Sequence, residues 1–230
     1  MDRGWQRGET AVVLVMLDLD NTLADRQGAV SAWAREFCDE HALPDGAAER
    51  IVSVDQDGYA DRCSVFETIR SRYELSDSIE TLLGAYRQRV VELMTLCEGA
   101  DTCLDALRTA GHLLAIVTNG SSQQQHAKID ALGLRTAVDV IVVSGDVGIA
   151  KPDRAIFDMA ADAAGTTLAE SWMVGDSPLH DIEGAERAGS RTAWLHRGRR
   201  WERASIEPTI TIDSLTDLPR TLASARRRTD

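Results

Sequence analysis

The chain has 230 residues, 43% of them hydrophobic, and a formal net charge of −12. At about 150 residues per domain, this length suits one large domain or one domain carrying an insertion, with apolar residues enough for a real core. The acidic balance argues against a nucleic-acid polymer as partner, because a phosphate-backbone binder needs a basic face. The apolar runs are too short to span a membrane, and the N-terminal MDRGWQRGET lacks a signal-peptide pattern. Cys38, Cys63, Cys97 and Cys103 include no C-x-x-C pair. They read as reduced, mostly core residues of a cytoplasmic protein. The basic residues are lopsided: 23 arginines stand against two lysines, Lys128 and Lys151.

The apolar run Val12 to Leu17 opens the organised part of the chain. Its continuous valine- and leucine-rich pattern, closed by the turn residues Asn21-Thr22, predicts a strand buried on both faces of a parallel sheet. From Asp25 to about Leu96 the pattern is helical. Ala29 to Ala42 predicts one helix, ended by Pro44-Asp45-Gly46. Ala47 to Leu75 predicts two, broken near Asp57-Gly58. Asp77-Ser78-Ile79-Glu80 reads as a capping box with Asp77 as the cap. Behind it Ile79, Leu82, Leu83, Tyr86, Val90, Leu93 and Met94 form an apolar helix stripe.

Strand and helix alternate after Glu98. Ala100 to Ala110 predicts a helix stopped by Gly111, Leu113 to Thr118 a buried strand, and Ser121 to Leu132 a helix stopped by Gly133. Val138 to Ser144 is the next strand. Pro152 to Ala164 is a helix with its proline early, where the missing N–H costs little. Trp172 to Val174 is a strand, with a helix from Asp181 to Ala188 behind it. Thr192 to His196 and Thr209 to Ile212 are short strands, Ser214 to Ala225 a last helix, and Arg226-Arg227-Arg228 a solvated tail. The alternation predicts an α/β fold, a doubly wound parallel sheet with helices on both faces. The expected division is 10–25 with 97–225 as the α/β core, 26–96 as an inserted helical subdomain, and 1–9 and 226–230 as flexible termini.

Four short constellations sit at predicted strand ends, where open α/β sheets bind ligands. Asp18 and Asp20 close the first strand. Side chains two apart share a side of a strand, so their carboxylates should sit together and one pKa should rise. Alone, the pair also reads as two solvated acids. Thr118-Asn119-Gly120 follows the second strand and can cradle an anion at a helix start, or serve as an ordinary turn. Lys151, before Pro152, offers a compact cation for a phosphate or a buried carboxylate, although most lysines are surface residues. Asp176 and Asp181, within GDSPLHD, suit a hard cation that prefers oxygen ligands. Asp181 could equally cap the next helix.

In this order, D-x-D-x-T-L, VTNG, the Lys151-Pro152 pair and G-D-x-x-x-x-D resemble the four motifs of the haloacid dehalogenase-like hydrolase superfamily, most of whose members are Mg²⁺-dependent phosphatases. The resemblance covers the core, with Asn21 standing where glycine is commoner. It implies a Rossmann-like core with a helical cap, in the phosphatase branch and similar to nucleotidase-like members. Asp18 would be the nucleophile, and Asp20 would protonate the leaving group and then activate water. Mg²⁺ would be held by Asp18, the backbone carbonyl of Asp20, and Asp176. Asp181 would steady a metal-bound water or Lys151. Thr118, Asn119, Gly120 and Lys151 would bind the phosphoryl group. The implied substrate is a small phosphorylated metabolite, with a nucleoside 5′-monophosphate or a sugar phosphate as candidates, and the protein would act as a monomer or homodimer.

Rival activities share the fold. A 2-haloacid dehalogenase typically lacks the second acid, so Asp20 argues against it. Phosphonate hydrolysis would need an insertion lysine, and residues 25–96 contain none. A sugar-phosphate mutase uses the same acid pair and remains an alternative. A non-catalytic relative would usually have lost one of the acids. Within the insertion, Trp33, Tyr59, Arg62 and Phe66 are candidates for substrate contacts or, alternatively, for the insertion's own core.

Overall fold

The structure is a computed structural model that describes residues 12–203 and 206–226. The expected flexible termini lie outside these residues, apart from Arg226, which ends the last helix.

Six strands form one parallel sheet: β1 (Leu14–Leu17), β2 (Leu113–Thr118), β3 (Val140–Val143), β4 (Ser171–Gly175), β5 (Arg191–Leu195) and β6 (Ile210–Ile212). Their order is β3-β2-β1-β4-β5-β6, with every neighbouring pair parallel. This is the doubly wound arrangement that the alternation predicts. Leu14 of β1 pairs with Leu113 on one side and Ser171 on the other. The order reverses between β1 and β4, and a crevice opens there at the strands' carboxyl ends.

Burial follows the period of two that a strand imposes. Val13, Val15 and Leu17, with Leu114, Ile116, Trp172 and Val174, join the core on one sheet face. Leu14 and Met16, with Ala115, Val117 and Met173, join the core on the other. Each face is covered by helices, which explains why β1 reads as an unbroken apolar run.

Four helices lie between β1 and the rest of the core: α1 (Arg26–Glu40), α2 (Ala47–Asp55), α3 (Arg62–Arg72) and α4 (Ile79–Glu92). The expected break near Asp57-Gly58 is a short 3₁₀ turn, Gln56–Gly58, between α2 and α3. The cap of α4 is Ser78 rather than Asp77. Ser78 takes the extended backbone that a cap requires, and its hydroxyl accepts from the Thr81 N–H at 3.2 Å.

The insertion has a core of its own. The Trp33 ring lies 5.1 Å from Phe37, 5.8 Å from Phe66 and 4.7 Å from Tyr86, centroid to centroid. This cluster is continuous with the core on one sheet face. The two connecting strands of chain run side by side. The Asp25 N–H donates to the Thr95 carbonyl at 2.8 Å, and the Cys97 N–H to the Leu23 carbonyl at 2.8 Å.

The remaining helices are α5 (Ala100–Thr109), α6 (Ser122–Ala131), α7 (Ser144–Val147), α8 (Arg154–Ala163), α9 (Gly184–Ala188) and α10 (Leu218–Arg226). Pro152 precedes α8 instead of opening it. Asp153 is the cap, its carboxylate accepting from the Ala155 N–H at 2.9 Å. Asp181 is not a cap either. Ser177 caps the π-helical turn Pro178–Glu183 that leads into α9, which leaves the Asp181 carboxylate for other partners. Of the four cysteines, all free, Cys103 alone is buried, and Cys63 is exposed. Cys38 and Cys97 are half-buried and pack against the core, so the reading of the cysteines as mostly core residues fails at Cys63 alone.

Candidate active site

The crevice at the switch point gathers all four constellations. Asp18 follows β1, Thr118 ends β2, Asp176 follows β4, and Lys151 arrives from the segment between β3 and α8. They line one cleft of about 290 Å³ with Asp20, Asn119, Gly120 and Asp181. Because the strands are parallel, their carboxyl ends meet at one edge, and motifs more than a hundred residues apart become neighbours.

Lys151 sits at the centre. Its Nζ donates to Asp18 Oδ1 at 2.6 Å and to Asp181 Oδ1 at 2.7 Å. Burial works against the lysine's charge, but Asp18 and Asp181 outweigh it and hold its pKa above the ordinary value. Asn119 braces the backbone beneath. Its side-chain amide donates to the Lys151 carbonyl, and its side-chain oxygen accepts from the Lys151 N–H, both at 2.9 Å. The Asn119 side chain therefore positions Lys151. The Gly120 N–H donates to Ser144 Oγ at 2.9 Å, so Gly120 helps to shape the cleft wall.

Carboxylate oxygens of Asp18, Asp176 and Asp181 lie within 4.8 Å of one another. Burial raises the Asp18 pKa well above its ordinary value; Lys151 pulls it down, and the Asp181 and Asp176 charges push it up. Burial, followed by the Asp181 charge, pushes Asp176 up to about 6 against the opposing Arg197 and Arg199. Asp181 also accepts from the Ser177 N–H at 2.9 Å.

Asp20 does not pair with Asp18 as the strand period suggested. The strand ends at Leu17, so alternation no longer governs the turn that holds Asp20. The Asp20 carboxylate instead faces Lys128, with Nζ–oxygen distances of 2.7 and 2.6 Å, and Gln125, whose Nε2 lies 3.1 Å away. Burial would raise its pKa, but the Lys128 charge and hydrogen bond, helped by Arg26 and Gln125, bring it below the ordinary value. The raised carboxyl of the pair is Asp18, and the like charges raising it belong to Asp181 and Asp176.

On the insertion side, Tyr59 stacks on His180 of the core, with centroids 5.3 Å apart and planes 16° from parallel. Asp57 accepts from Asn21 Nδ2 and from Arg197 Nη1, both at 2.9 Å. Arg197 also donates to Asp176 at 2.8 Å, and Arg199 to the same oxygen at 2.9 Å. Trp33 and Phe66 belong to the insertion core, and Arg62 is held by Asp55. Of the four insertion candidates, Tyr59 lines the cleft.

Residues 15–195 match the family model described as haloacid dehalogenase-like hydrolase. The chain belongs to the haloacid dehalogenase-like hydrolase family. It is 37% identical over 139 residues to the pyrimidine 5′-nucleotidase YjjG of Escherichia coli, a match covering 60% of this chain and 61% of that protein. It is 32% identical over 195 residues to a phosphoserine phosphatase of Thermus thermophilus, across 83% of this chain and 67% of that one. Among solved structures it resembles the magnesium-bound haloacid dehalogenase-type hydrolase YfnB of Bacillus subtilis. That likeness has a TM-score of 0.75 at 25% identity and covers 92% of this chain and 98% of the other.

The four family motifs thus converge on one haloacid dehalogenase-like cleft. The motifs did not mark Asp57, which lines the cleft, nor Gln125, Lys128, Arg197 and Arg199, which bond to its residues from behind. One signal was available for Lys128. In a chain with 23 arginines and two lysines, both lysines lie buried against site carboxylates. The scarcity of lysine marks α6, which carries Lys128, as it marks the segment that carries Lys151.

Proposed function

We propose that this chain is a Mg²⁺-dependent phosphomonoester hydrolase that works through an aspartyl-phosphate on a small phosphate ester. The observation that carries this reading is Lys151 held between Asp18 and Asp181, with Thr118 and Asp176 at the adjoining strand ends. Asp18 Oδ attacks phosphorus, the bond to the leaving oxygen breaks, and Asp20, ionised at rest, takes up a proton from solvent beforehand and passes it to that oxygen. Water then attacks the phosphoryl group, Asp20 takes its proton, and inorganic phosphate leaves Asp18 free. Thr118 and Lys151 bind phosphoryl oxygens. Lys151 offsets charge on the transferring group, where stabilisation by fixed donors is most effective.

The donor set fits a hard divalent cation. Three carboxylates converge, two of them, Asp18 and Asp176, pushed up by burial and by the Asp181 charge, and oxygen is the ligand such a cation prefers. Asp18, Asp176 and the Asp20 backbone carbonyl would hold it, while the Asp20 carboxylate stays with Lys128. Bound there, the cation would polarise the phosphoryl group and offset its charge.

The helical insertion, residues 26–96, is assigned as a cap over a core made of 10–25 and 97–225. Asp57 and Tyr59 reach the cleft from it. The Tyr59–His180 stack gives the mouth a flat aromatic wall, which favours a planar leaving group. A nucleoside 5′-monophosphate is therefore the first candidate substrate, in keeping with the similarity to a pyrimidine 5′-nucleotidase. The chain would do this work in the cytoplasm. No helix among the described residues is long and apolar enough to cross a membrane.

Purified protein incubated with Mg²⁺ and a panel of phosphomonoesters should release phosphate, and fastest from nucleoside 5′-monophosphates. Conversion of a sugar 1-phosphate to its 6-phosphate without phosphate release would identify a mutase instead.

A further inference from the structure

Gln125 and Lys128 lie one turn apart on α6, are nearly fully buried, and have no part in the mechanism just given. Gln125 Nε2 donates to Thr118 Oγ1 at 2.7 Å and to Asp20 Oδ2 at 3.1 Å. Its Oε1 accepts from Lys128 Nζ at 2.8 Å. The amide orientation is fixed from both ends. An ammonium can only donate, so it selects the amide oxygen; an ionised carboxylate can only accept, so it selects the amide nitrogen.

This has a consequence for Thr118. A hydroxyl has one proton and two lone pairs, and Gln125 occupies a lone pair. The proton must find another acceptor. The acceptor within reach is the Asn119 carbonyl at 3.5 Å, the outer limit of a hydrogen bond. The Thr118 proton is thus free for an oxygen arriving in the cleft. Gly120 makes room for the arrangement. Its φ is +146°, and a Cβ there would lie 2.8 Å from Gln125 Cδ.

We propose that Gln125 and Lys128 are positioning residues that commit the Thr118 hydroxyl proton to the phosphoryl group and lock the same network to Asp20. The proposal rests on the phosphatase reading, because the acceptor it invokes is a phosphoryl oxygen. Lys128 contributes twice. It sets the Gln125 amide and holds the Asp20 carboxylate. α6 thereby couples the residue that binds the phosphoryl group to the one that serves the leaving oxygen.

A double-mutant cycle tests this, using p-nitrophenyl phosphate as substrate and inorganic phosphate as competitive inhibitor. Thr118→Val should lower kcat/KM about 100-fold, and Gln125→Met about tenfold with a parallel weakening of phosphate inhibition. The double variant should stay within about threefold of Thr118→Val alone, since the shorter of Gln125's two bonds acts through a hydroxyl already removed and only its longer bond to Asp20 is left to lose. Multiplied losses in the double variant, or wild-type kinetics in Gln125→Met, would overturn the proposal. Should Gln125→Met fail to fold, Lys128→Met and Lys128→Arg replace it. Loss in the first and recovery in the second support the positioning role, and equal loss in both defeats it. If wild-type protein releases no phosphate from any monoester and binds no inorganic phosphate, the phosphatase reading falls and takes this inference with it.

Discussion

The two walls of the cleft are built differently. On the sheet side, Asp18, Thr118 and Asp176 each stand at or just past the end of a strand, fixed by backbone pairing and almost completely buried. On the insertion side, Asp57 and Tyr59 stand on a turn in which Gln56 and Asp57 both take positive φ. That turn is held by side chains from distant parts of the chain: Arg197 and Asn21 on Asp57, His180 on Tyr59. A sheet edge gives a fixed geometry suited to chemistry common to all substrates. A turn held by side-chain contacts can change sequence without disturbing the core, which suits the choice among substrates.

The largest expected effect tests the sheet wall. Asp18→Asn keeps the shape and removes the attacking oxygen's charge. Phosphate release should fall on the order of 10⁴-fold or more, with an unchanged circular dichroism spectrum. A variant keeping a substantial share of wild-type turnover would remove Asp18 as nucleophile.

Metal removal comes next. Chelation should abolish turnover and Mg²⁺ restore it, while Ca²⁺ should bind and inhibit, because its looser and higher coordination misplaces Asp18. Asp176, pushed up to about 6, is protonated below that pH, and protons then compete with the cation. Calorimetric Mg²⁺ affinity should therefore weaken as pH falls through about 6. Full activity in excess chelator would revive a dehalogenase-like reaction.

Stability separates the walls a third way. Arg26 clamps Asp55 with two hydrogen bonds of 2.7 and 2.8 Å, and its Nη2 reaches Tyr86 Oη at 3.2 Å. Arg26→Met leaves Asp55 buried with Arg62 as its remaining cation, and should cost about 3 kcal/mol in urea unfolding. Burial alone would raise the Asp55 pKa, but Arg26 and Arg62 outweigh it and hold it below the ordinary value. A depressed carboxylate contributes stability above its unfolded pKa, about 3.9, and loses that contribution as pH falls through the folded value. The stability gap between wild type and Asp55→Asn should thus narrow on acidification. A gap independent of pH would mean that the clamp carries no net charge energy.

The same division governs what could be read from the residues. The sheet wall was legible because each motif is local: a strand, a turn and one or two polar residues fit in eight positions, and parallel pairing brings the strand ends together. The helical insertion was legible from its apolar stripe, with Leu82, Leu83, Tyr86 and Val90 all buried. The partners of Asp20 were not. The D-x-D spacing predicts a shared side only while the chain remains a strand, and it leaves the strand at Asp18. The Arg197–Asp57 contact, 140 residues apart, has no sequence period at all. Among the insertion aromatics, composition could not separate Trp33, which packs in the insertion core, from Tyr59, which is 56% exposed.

The smallest expected effect bears on the insertion wall. Deleting the insertion is a poor test, because its core is continuous with that of the sheet face and removal would bare apolar surface. Tyr59→Ala is cleaner. The side chain is more than half exposed, so unfolding free energy should fall by no more than its stack on His180 is worth, about 0.5–1.5 kcal/mol. An aromatic stack is worth about 0.5–1.5 kcal/mol beyond buried area, roughly a two- to tenfold effect on kcat/KM. If Tyr59 with His180 forms the wall that receives a planar leaving group, the loss should fall on nucleoside monophosphates and spare sugar phosphates. Rates on p-nitrophenyl phosphate should mark the middle, since its ring is planar but short. Equal losses across all esters would mean that Tyr59 steadies the turn without reading the substrate. Selectivity would then pass to Asp57 and Arg197, which bond to each other between the two walls.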